Sequence, residues 1–567
     1  MAVIEFSKSD LFALAGKRMD DRELENTLAM MGVPLEHMED DRVEVEVFPN
    51  RPDLLSVEGL ARALRSYLSI LPGMRKYETG ESGIKVMVDG SVREIRPYIV
   101  CGVVRDVNFT DELIASIMQI QEKLHATIGR RRKKAAIGIY DLDTIDPPVI
   151  YKALEPNMIE FVPLSDASND YGYMSAREIL IKHPKGKDYA HLLENLDRFP
   201  LLVDSKDMVL SMPPIINSDD TRVHEETKNL FIDVTGTHLR TIHHVLNIVA
   251  TTIAEREAKL ETVEIVYPAS YELNNRTIRT PDLSPVRMNL SVKYVNRLLG
   301  LNLSPEDVAH NLRRMGFEPQ ETGETISVLI PAYRTDIMHP MDLVEDVAIA
   351  YGYDRFDYRL PDVFTVGESL PVEIIGDTLR EIMVGLGFTE VMNFIITSRE
   401  KLTTKIMRGD DTELAEIDNY NSPEYTTLRD THLPSLLDAL NYNRMNAYPQ
   451  KIFEIGDTVV LDSNYETGAR TVRKLGIAVA GGDKGLTEIA EIIHTICSLM
   501  KWDHEFRSED IPGMIPGRSC CLISDNRAIG FFGELHPQVI VEFNLEVAVV
   551  YGEINIEAMS RWSEEEN

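Results

Sequence analysis

At 567 residues, the chain exceeds the size at which one hydrophobic core keeps growing, so several domains are expected. Its 44% hydrophobic and 27% charged content is typical of a folded globular protein, and its net charge of −33 argues against a surface that binds a polyanion over its whole area. There is no run of 18 apolar residues, no signal-peptide pattern and no C-x-x-C pair, so we expect a reduced, cytoplasmic protein with no membrane partner.

The first 80 residues form a predicted small module of helices and a strand. One helix ends near Gly16, a second covers 20–32, and a strand over 43–48 leads into Arg51-Pro52-Asp53. A further helix follows over 57–67 and carries Glu58 near its start.

Residues 98–266 differ in character, because short strands and loops dominate until a long helix predicted over 241–260. Two pairs of polar residues interrupt apolar runs here. Ser211 and Asn217 flank a Pro-Pro pair, and Asp233 and Thr235 lie in a strand-like segment. For Ser211 and Asn217, turn formation around the prolines is the simpler explanation from the residues alone.

A dense basic run at 130–134 stands out against the acidic composition. Its residues, Arg130-Arg131-Arg132-Lys133-Lys134, suit either contact with RNA phosphates or a partner, or an ordinary solvated loop. The sequence favours neither alternative.

The order of the first module returns over 270–354, which indicates an internal duplication. A helix stopped by Gly300 precedes one with Ser304 and Pro305 as starting signals, and a hairpin is predicted around Thr322-Gly323-Glu324. An Arg-x-Asp pair at Arg334 then precedes a last helix. Two winged-helix-like modules are the simplest account, and such modules suit docking on RNA or protein.

The second copy carries more acid than the first. Asp336, Asp342, Glu345 and Asp346 lie within one turn-and-helix segment, and the last three have the spacing that places carboxylates on one side of a helix start. Carboxylate oxygens suit Mg²⁺, although acids in a first helical turn also interact favourably with the helix dipole. Both explanations stay open on spacing alone.

These segments carry a family resemblance. The run from Phe48 to Gly59 is similar to the N-terminal signature of phenylalanyl-tRNA synthetase β subunits, residues 331–353 resemble the family's B5 module, and the likeness extends over the whole chain. The resemblance implies an α+β multidomain fold of the archaeal and eukaryotic type: a winged-helix-like module at 1–80, a B3/B4 editing domain at 98–266, a B5 domain at 270–354, and a class II synthetase-like antiparallel sheet domain at 365–567.

The resemblance also implies site residues. Mg²⁺ would be held by the B5 acids Asp336, Asp342, Glu345 and Asp346. The editing pocket, which would hydrolyse mischarged Tyr-tRNA(Phe), is expected from Ser211, Asn217, Asp233 and Thr235, with Leu202 as an apolar wall. No Ser-His-Asp or Cys-His arrangement is visible, and His224, His243 and His244 lack recognisable partners.

The last domain is expected to lack the chemistry of its fold. The second class II motif has an Arg two positions before its Glu, but Ile452 stands there before Glu454, and 528–560 contains no Lys or Arg for the third motif. The chain would therefore support phenylalanine–tRNA ligation as a non-catalytic β subunit, with ATP bound by an α subunit in an α2β2 tetramer on tRNA(Phe). The alternative is a free-standing RNA-binding scaffold or deacylase.

Overall fold

The computed structural model describes residues 2–165, 171–271, 276–321, 323–358, 360, 365–483 and 485–559. The chain divides into two compact units, residues 1–359 and 360–567. Among the described residues, no helix is long and apolar enough to cross a membrane. Of the predicted hairpin around 322–324, Thr322 lies outside the described residues.

The first module is a three-stranded antiparallel sheet with three helices. Its elements are β1 (Ala2–Ser7), α1 (Lys8–Ala15), α2 (Asp21–Met30), β2 (Leu35–Glu39), β3 (Arg42–Val47) and α3 (Val57–Tyr67). The strand order is β1-β3-β2. Helix α1 ends where Gly16 adopts φ 74°, and α2 begins at Asp20, whose carboxylate accepts the N–H of Glu23. The predicted helices are confirmed, whereas β1 and β2 were not predicted.

The central part of the first unit is built on one ten-stranded sheet. Its elements over residues 79–203 are β4 (Thr79–Val88), β5 (Tyr98–Arg105), α4 (Asp111–Ala126), β6 (Ala135–Asp141), β7 (Val149–Leu154), β8 (Glu160–Phe161), β9 (Met174–Ser175), α5 (Ala176–Lys182), α6 (Pro184–Tyr189) and β10 (Phe199–Val203). After these come β11 (Val209–Met212), β12 (Ile216–Asn217), β13 (Leu230–Gly236), α7 (Leu239–Ala254), β14 (Lys259–Val266) and β15 (Thr277–Thr280). The order is β12-β11-β10-β7-β4-β14-β5-β13-β6, with β15 on β14.

Two features of this region differ from the sequence prediction. The helix predicted over 241–260 ends at Ala254, because Glu257 adopts φ 66° and the chain continues as β14 with alternate residues buried. The sheet also extends past 98–266 at both ends, since β4 pairs with β14 and β7, and β15 pairs with β14.

The second copy repeats the first module. Its elements are β16 (Val286–Ser291), α8 (Val292–Leu299), α9 (Pro305–Arg314), β17 (Glu318–Glu321), β18 (Thr325–Ile330) and α10 (Pro340–Tyr351), and its sheet has the equivalent order β16-β18-β17. Both hairpins shift register at the same place after a Met-Gly pair, at Leu35/His37 and at Pro319/Glu321. The predicted duplication is confirmed.

The second unit is a seven-stranded sheet with helices. Its elements are α11 (Pro371–Gly385), β19 (Thr389–Glu390), β20 (Ile396–Thr397), α12 (Arg399–Leu402), β21 (Thr427–Leu428), α13 (Leu433–Tyr442), β22 (Gln450–Leu461), β23 (Ala469–Ala480), α14 (Leu486–Met500), β24 (Glu505–Ser508), β25 (Met514–Ser524), β26 (Arg527–Leu535), α15 (Pro537–Glu542) and β27 (Val549–Asn555). The order is β19-β22-β23-β27-β26-β25-β24. Every pair is antiparallel except β19 with β22, so the predicted antiparallel sheet is confirmed.

A buried ion pair ties the first module to the central sheet. Arg256, just after α7, donates from Nε to Glu58 Oε1 over 2.7 Å and from Nη2 to Asp10 Oδ2 over 2.6 Å. Glu58 is fully buried, and its second oxygen accepts the Ser116 hydroxyl at 2.6 Å. Removing the cation alone would leave a buried carboxylate without its counter-charge.

We expect Arg256→Leu to lower the free energy of unfolding by about 3–5 kcal/mol, because Glu58 then stays buried and uncompensated. Chemical denaturation of the two variants and the wild-type chain measures this. The matched control is Arg105→Leu, whose pair with Glu261 is partly exposed and should cost at most about 1 kcal/mol. Equal losses in both variants would contradict a special role for the buried pair.

Candidate functional site

A cavity of about 1220 Å³ lies in the first unit, where the two ends of the central sheet face each other. Strand β6 ends the strand order on one side, and β11 and β12 end it on the other. Helix α4, β13 and the segment at 221–227 complete the walls. The lining combines apolar side chains with many polar and charged ones, and some of the polar groups are buried.

Tyr140 bridges the two ends of the sheet at the base of this cavity. Its hydroxyl donates a short hydrogen bond to the carboxylate of Asp233 on β13 and lies 2.8 Å from the hydroxyl of Ser211 on β11. All three side chains are at least 98% buried. Two of the predicted pocket residues are therefore brought together by a tyrosine that the sequence analysis did not single out.

Burial changes the acidity of this group. It raises the pKa of Asp233 to about 7, against the lowering effects of the Tyr140 hydrogen bond and the Arg96 charge. Burial, with the Asp233 charge and hydrogen bond, raises the pKa of Tyr140 well above its usual range, so the phenol stays protonated. Asp233 is thus a polar group that can change protonation near neutral pH.

Gly138 makes the space for this arrangement. A Cβ at this position would lie 2.1 Å from the Tyr140 hydroxyl and 2.2 Å from Asp233 Oδ1. Any larger residue would therefore displace the hydrogen bond between those two side chains.

Arg96 satisfies Thr235, another predicted pocket residue. Its Nε donates to Thr235 Oγ1 over 2.9 Å and its Nη2 to the Thr235 carbonyl over 2.7 Å. Burial lowers the pKa of Arg96 to about 10. Because its hydroxyl already accepts from Arg96, Thr235 serves mainly to fix one end of the cavity floor.

The other predicted pocket residues separate into two groups. Asn217 lines the cavity and donates from Nδ2 to the Ile139 carbonyl over 3.3 Å, a second link between the sheet ends. Leu202 is not among the lining residues: it lies in β10, fully buried in the main core. The apolar residues that line the cavity instead include Ile137, Ile139 and Ile215.

The histidines do not form a catalytic group with a nucleophile. His224 is the single histidine among the described residues that line the cavity. His243 and His244 lie on α7 outside the lining, and burial lowers the pKa of both. The described cavity therefore offers binding and orienting groups rather than a nucleophile with its base.

The basic run at 130–134 lies at one end of the cavity. Arg132 turns inward and is buried, and its Nη1 donates to the Ile215 carbonyl over 2.8 Å. Arg130, Arg131 and Lys133 are exposed. Neither of the two sequence-based alternatives described this division into one anchor and several free charges.

The four acids predicted to hold Mg²⁺ do not converge. Asp336 and Asp346 both accept hydrogen bonds from Arg334, over 2.7 and 2.6 Å. Asp342 instead accepts the backbone N–H of His339 at 2.7 Å and caps α10, while Glu345 is exposed. Within the described ranges, no three His, Cys, Asp or Glu side chains form a group that could hold a metal ion. Of these four acids, only Asp336 and Asp346 pair with an arginine among the described residues.

In the second unit, Glu454 is satisfied internally. It is buried and accepts Arg429 Nη2 at 2.7 Å and Asn393 Nδ2 at 2.7 Å. Burial raises its pKa, but hydrogen bonds from His432 and Arg429 outweigh that effect and hold it well below the usual range. Ile452, at the position of the expected motif arginine, pairs with Ala478 in the sheet.

The family profiles and the relatives that match this chain all point to one protein family. A family profile described as "Phenylalanyl tRNA synthetase beta chain CLM domain" matches residues 357–556, and one described as "tRNA synthetase B5 domain" matches 288–353. The chain is 41% identical over 98% of its length to the "Phenylalanine--tRNA ligase beta subunit" of Methanocaldococcus jannaschii, all of which is covered. It is also 41% identical to that of Archaeoglobus fulgidus, with 98% of each chain covered.

A solved structure also matches part of this chain. It is an N-terminal fragment of the phenylalanyl-tRNA synthetase β-subunit from Pyrococcus horikoshii, 39% identical, with a TM-score of 0.58. The match covers 62% of this chain and 99% of that fragment.

The raised pKa of Asp233 predicts a pH-dependent stability. Between about pH 4 and pH 7 this carboxyl binds more protons in the folded state than in the unfolded state, so its contribution to the free energy of unfolding falls as pH rises and levels off above about 7. Asp233→Asn stays neutral at all these pH values. Its free energy of unfolding should equal that of the wild type at pH 5 and should be higher at pH 8, by on the order of a few kcal/mol. Denaturant unfolding of both proteins between pH 4 and pH 8 measures this difference. Parallel plots of the free energy of unfolding against pH would exclude a raised pKa of Asp233.

Proposed function

We propose a function on one premise: the chain belongs to the phenylalanine–tRNA ligase β-subunit family, and it therefore takes part in the synthesis of phenylalanyl-tRNA. On that premise, the cavity of the first unit is an editing site that hydrolyses tyrosine wrongly esterified to tRNA(Phe). A pocket made for phenylalanine cannot strongly reject an isostere that adds one hydroxyl, so a second, separate check is useful.

The observation that carries this proposal is the buried carboxyl of Asp233 at the base of a partly apolar cavity. A tyrosyl hydroxyl that reaches this carboxyl would gain a hydrogen bond, whereas a phenylalanyl ring would leave a desolvated polar group without that partner. The isoleucines of the wall would hold the ring in both cases. Selectivity for tyrosine would follow from the unpaired carboxyl, not from shape.

Tyr140 has a positioning role in this proposal. Its hydroxyl already donates to Asp233 Oδ1, and no described side chain donates to Oδ2. The substrate hydroxyl would therefore meet Oδ2 while Tyr140 fixes the carboxyl from the other side. The pocket would be preorganised before the substrate arrives.

Hydrolysis would proceed without a dedicated protein base. The oxygen of a water molecule adds to the acyl carbon, the ester C–O bond breaks, and the ribose oxygen that leaves takes the proton from that water. The cavity's polar groups and the terminal ribose of the tRNA would orient the water. This follows from the lack of a nucleophile–base pair in the described lining.

We further propose that the second unit has a supporting role beside a catalytic α subunit. Phosphate binding in ATP activation needs fixed arginines, but Ile452 stands at one such position and Arg429 is engaged by buried Glu454. ATP would be bound by the α subunit, and two αβ pairs would form an α2β2 complex that charges tRNA(Phe).

The proposal is tested on the complex with a phenylalanyl-tRNA synthetase α subunit. Asp233→Ala should reduce hydrolysis of Tyr-tRNA(Phe) by about a hundredfold, because the group that recognises the hydroxyl is lost. Charging with phenylalanine should be unchanged and should require the α subunit. Asp207→Ala, an exposed acid beyond β10, is the control and should leave both reactions intact. Full hydrolysis in Asp233→Ala, or charging by the β chain alone, would refute the assignment.

A Mg²⁺ ion in the second module is a separate proposal, restricted to Asp342 and Glu345 with water completing the shell. With millimolar affinity, saturating Mg²⁺ should stabilise the chain on the order of 1 kcal/mol. A rise in melting temperature for the wild type and none for Glu345→Gln is the expected result. Glu306→Gln, an exposed acid in the first turn of α9, should respond like the wild type. Equal responses in all three proteins would contradict this site.

A further inference from the structure

We infer that the loop 130–134 binds the phosphates of the single-stranded acceptor end of a tRNA and so directs the terminal ester into the cavity. The inference rests on the proposed editing function and adds a docking surface to it. It is based on the location of the loop beside the cavity, on its backbone conformation and on its exposed basic side chains.

The loop has an unusual and fixed backbone. Arg130, Arg131 and Arg132 all adopt left-handed conformations, with φ of 47°, 50° and 65°. Non-glycine residues in this region are strained, and three in succession persist only where the surroundings fix them. Backbone hydrogen bonds from Arg132 to His125 and from Lys134 to Gly129, at 3.2 and 2.9 Å, provide part of that support.

Arg132 provides the rest of the support. Its Nη1 donates to the Ile215 carbonyl and its Nη2 to Glu122 over 3.1 Å, and its guanidinium lies 4.3 Å from the ring centre of Tyr189. The loop is therefore attached to the turn between β11 and β12, the two strands that carry Ser211 and Asn217. The rim of the cavity and its polar base form one connected structure.

Three of the remaining charges of the loop have no partner among the residues that the structure describes. Arg130, Arg131 and Lys133 are exposed, and no side chain of the described residues forms a hydrogen bond or ion pair with theirs. Strain combined with unpaired like charges indicates a surface shaped for an external anion.

The charge of the cavity rim gives the phosphates a direction. Strand β6 runs from the basic loop to Asp141, which spans about 20 Å at the rise of a strand. At that far end, Asp141 accepts the Thr227 hydroxyl at 2.7 Å, and Asp143, Glu225 and Glu226 also line the cavity. These acids would repel a phosphate backbone, so the nucleic acid would approach over the loop while only the neutral amino-acid side chain goes deeper.

The test compares Arg130→Gln/Arg131→Gln with a control that loses the same two charges elsewhere. Arg18→Gln/Arg22→Gln serves, since both arginines are exposed in the first module. In the αβ complex, the loop variant should hydrolyse Tyr-tRNA(Phe) about tenfold less efficiently at low salt. The slope of the logarithm of its catalytic efficiency against the logarithm of the salt concentration should be smaller by about 1.4, the value for two phosphate contacts to a single strand. Tyrosyl-adenosine, which lacks the phosphates, should be hydrolysed at the wild-type rate.

A second measurement separates this inference from the editing proposal. Fluorescence anisotropy with a short single-stranded RNA ending in CCA should show weaker binding by the loop variant and unchanged binding by the control. Lys133→Gln offers the same readout if the double variant does not fold. If the wild-type complex does not hydrolyse Tyr-tRNA(Phe) but the loop variant still binds RNA more weakly, the editing proposal is refuted and the RNA-binding role of the loop stands. Unchanged RNA binding, or an equal fall on tyrosyl-adenosine, would overturn the inference; weaker assembly with the α subunit instead would indicate a protein partner.

Discussion

The first unit depends on how its curled sheet is closed. Strands β6 and β12 stand at opposite ends of the strand order, yet they face each other across the cavity. Asn217 of β12 donates a hydrogen bond to the Ile139 carbonyl of β6, and the Tyr140 hydroxyl of β6 lies 2.8 Å from the Ser211 hydroxyl of the adjacent strand β11. Because side chains rather than a continuous backbone ladder make this connection, a ligand-sized space remains between the ends.

The same closure sets the chemistry of the cavity. Tyr140 must reach past Gly138, where no Cβ fits, to donate to Asp233. The resulting buried carboxyl has one engaged oxygen and a pKa near neutrality. Tyr140 therefore orients the acid of the site, whereas burial of the carboxyl raises its pKa against the lowering effect of the Tyr140 hydrogen bond.

The starts and ends of helices follow from local sequence signals. Asp20, Ser304 and Gly300 end or begin helices through local hydrogen bonds and backbone conformation, so their effects can be read from a few neighbouring residues. The stop of α7 at Ala254 was missed, because the left-handed Glu257 gives no compositional signal. Site residues divide in the same way: Ser211 and Asp233 were identified by family resemblance, whereas Tyr140, Arg96 and Arg132 act through contacts distant in sequence.

Long-range contacts also explain why equivalent residues in the two copies of the module differ. In both copies an arginine pairs bidentately with an aspartate two residues on, Arg51 with Asp53 and Arg334 with Asp336. Glu58 of the first copy is then buried by Arg256 from the central sheet.

Its counterpart Glu345 has no such neighbour and is exposed. Next to it, Asp346 replaces Gly59 and adds a second carboxylate to Arg334, whereas a Cβ at Gly59 would lie 1.9 Å from the Asp53 carbonyl. The acid-rich character of the second copy thus reflects two different environments: an internal pair around a guanidinium, and an outer pair open to water. Spacing along the sequence makes the four acids look like one site. Arg334 binds Asp336 and Asp346, however, whereas Asp342 accepts backbone N–H groups at the start of α10.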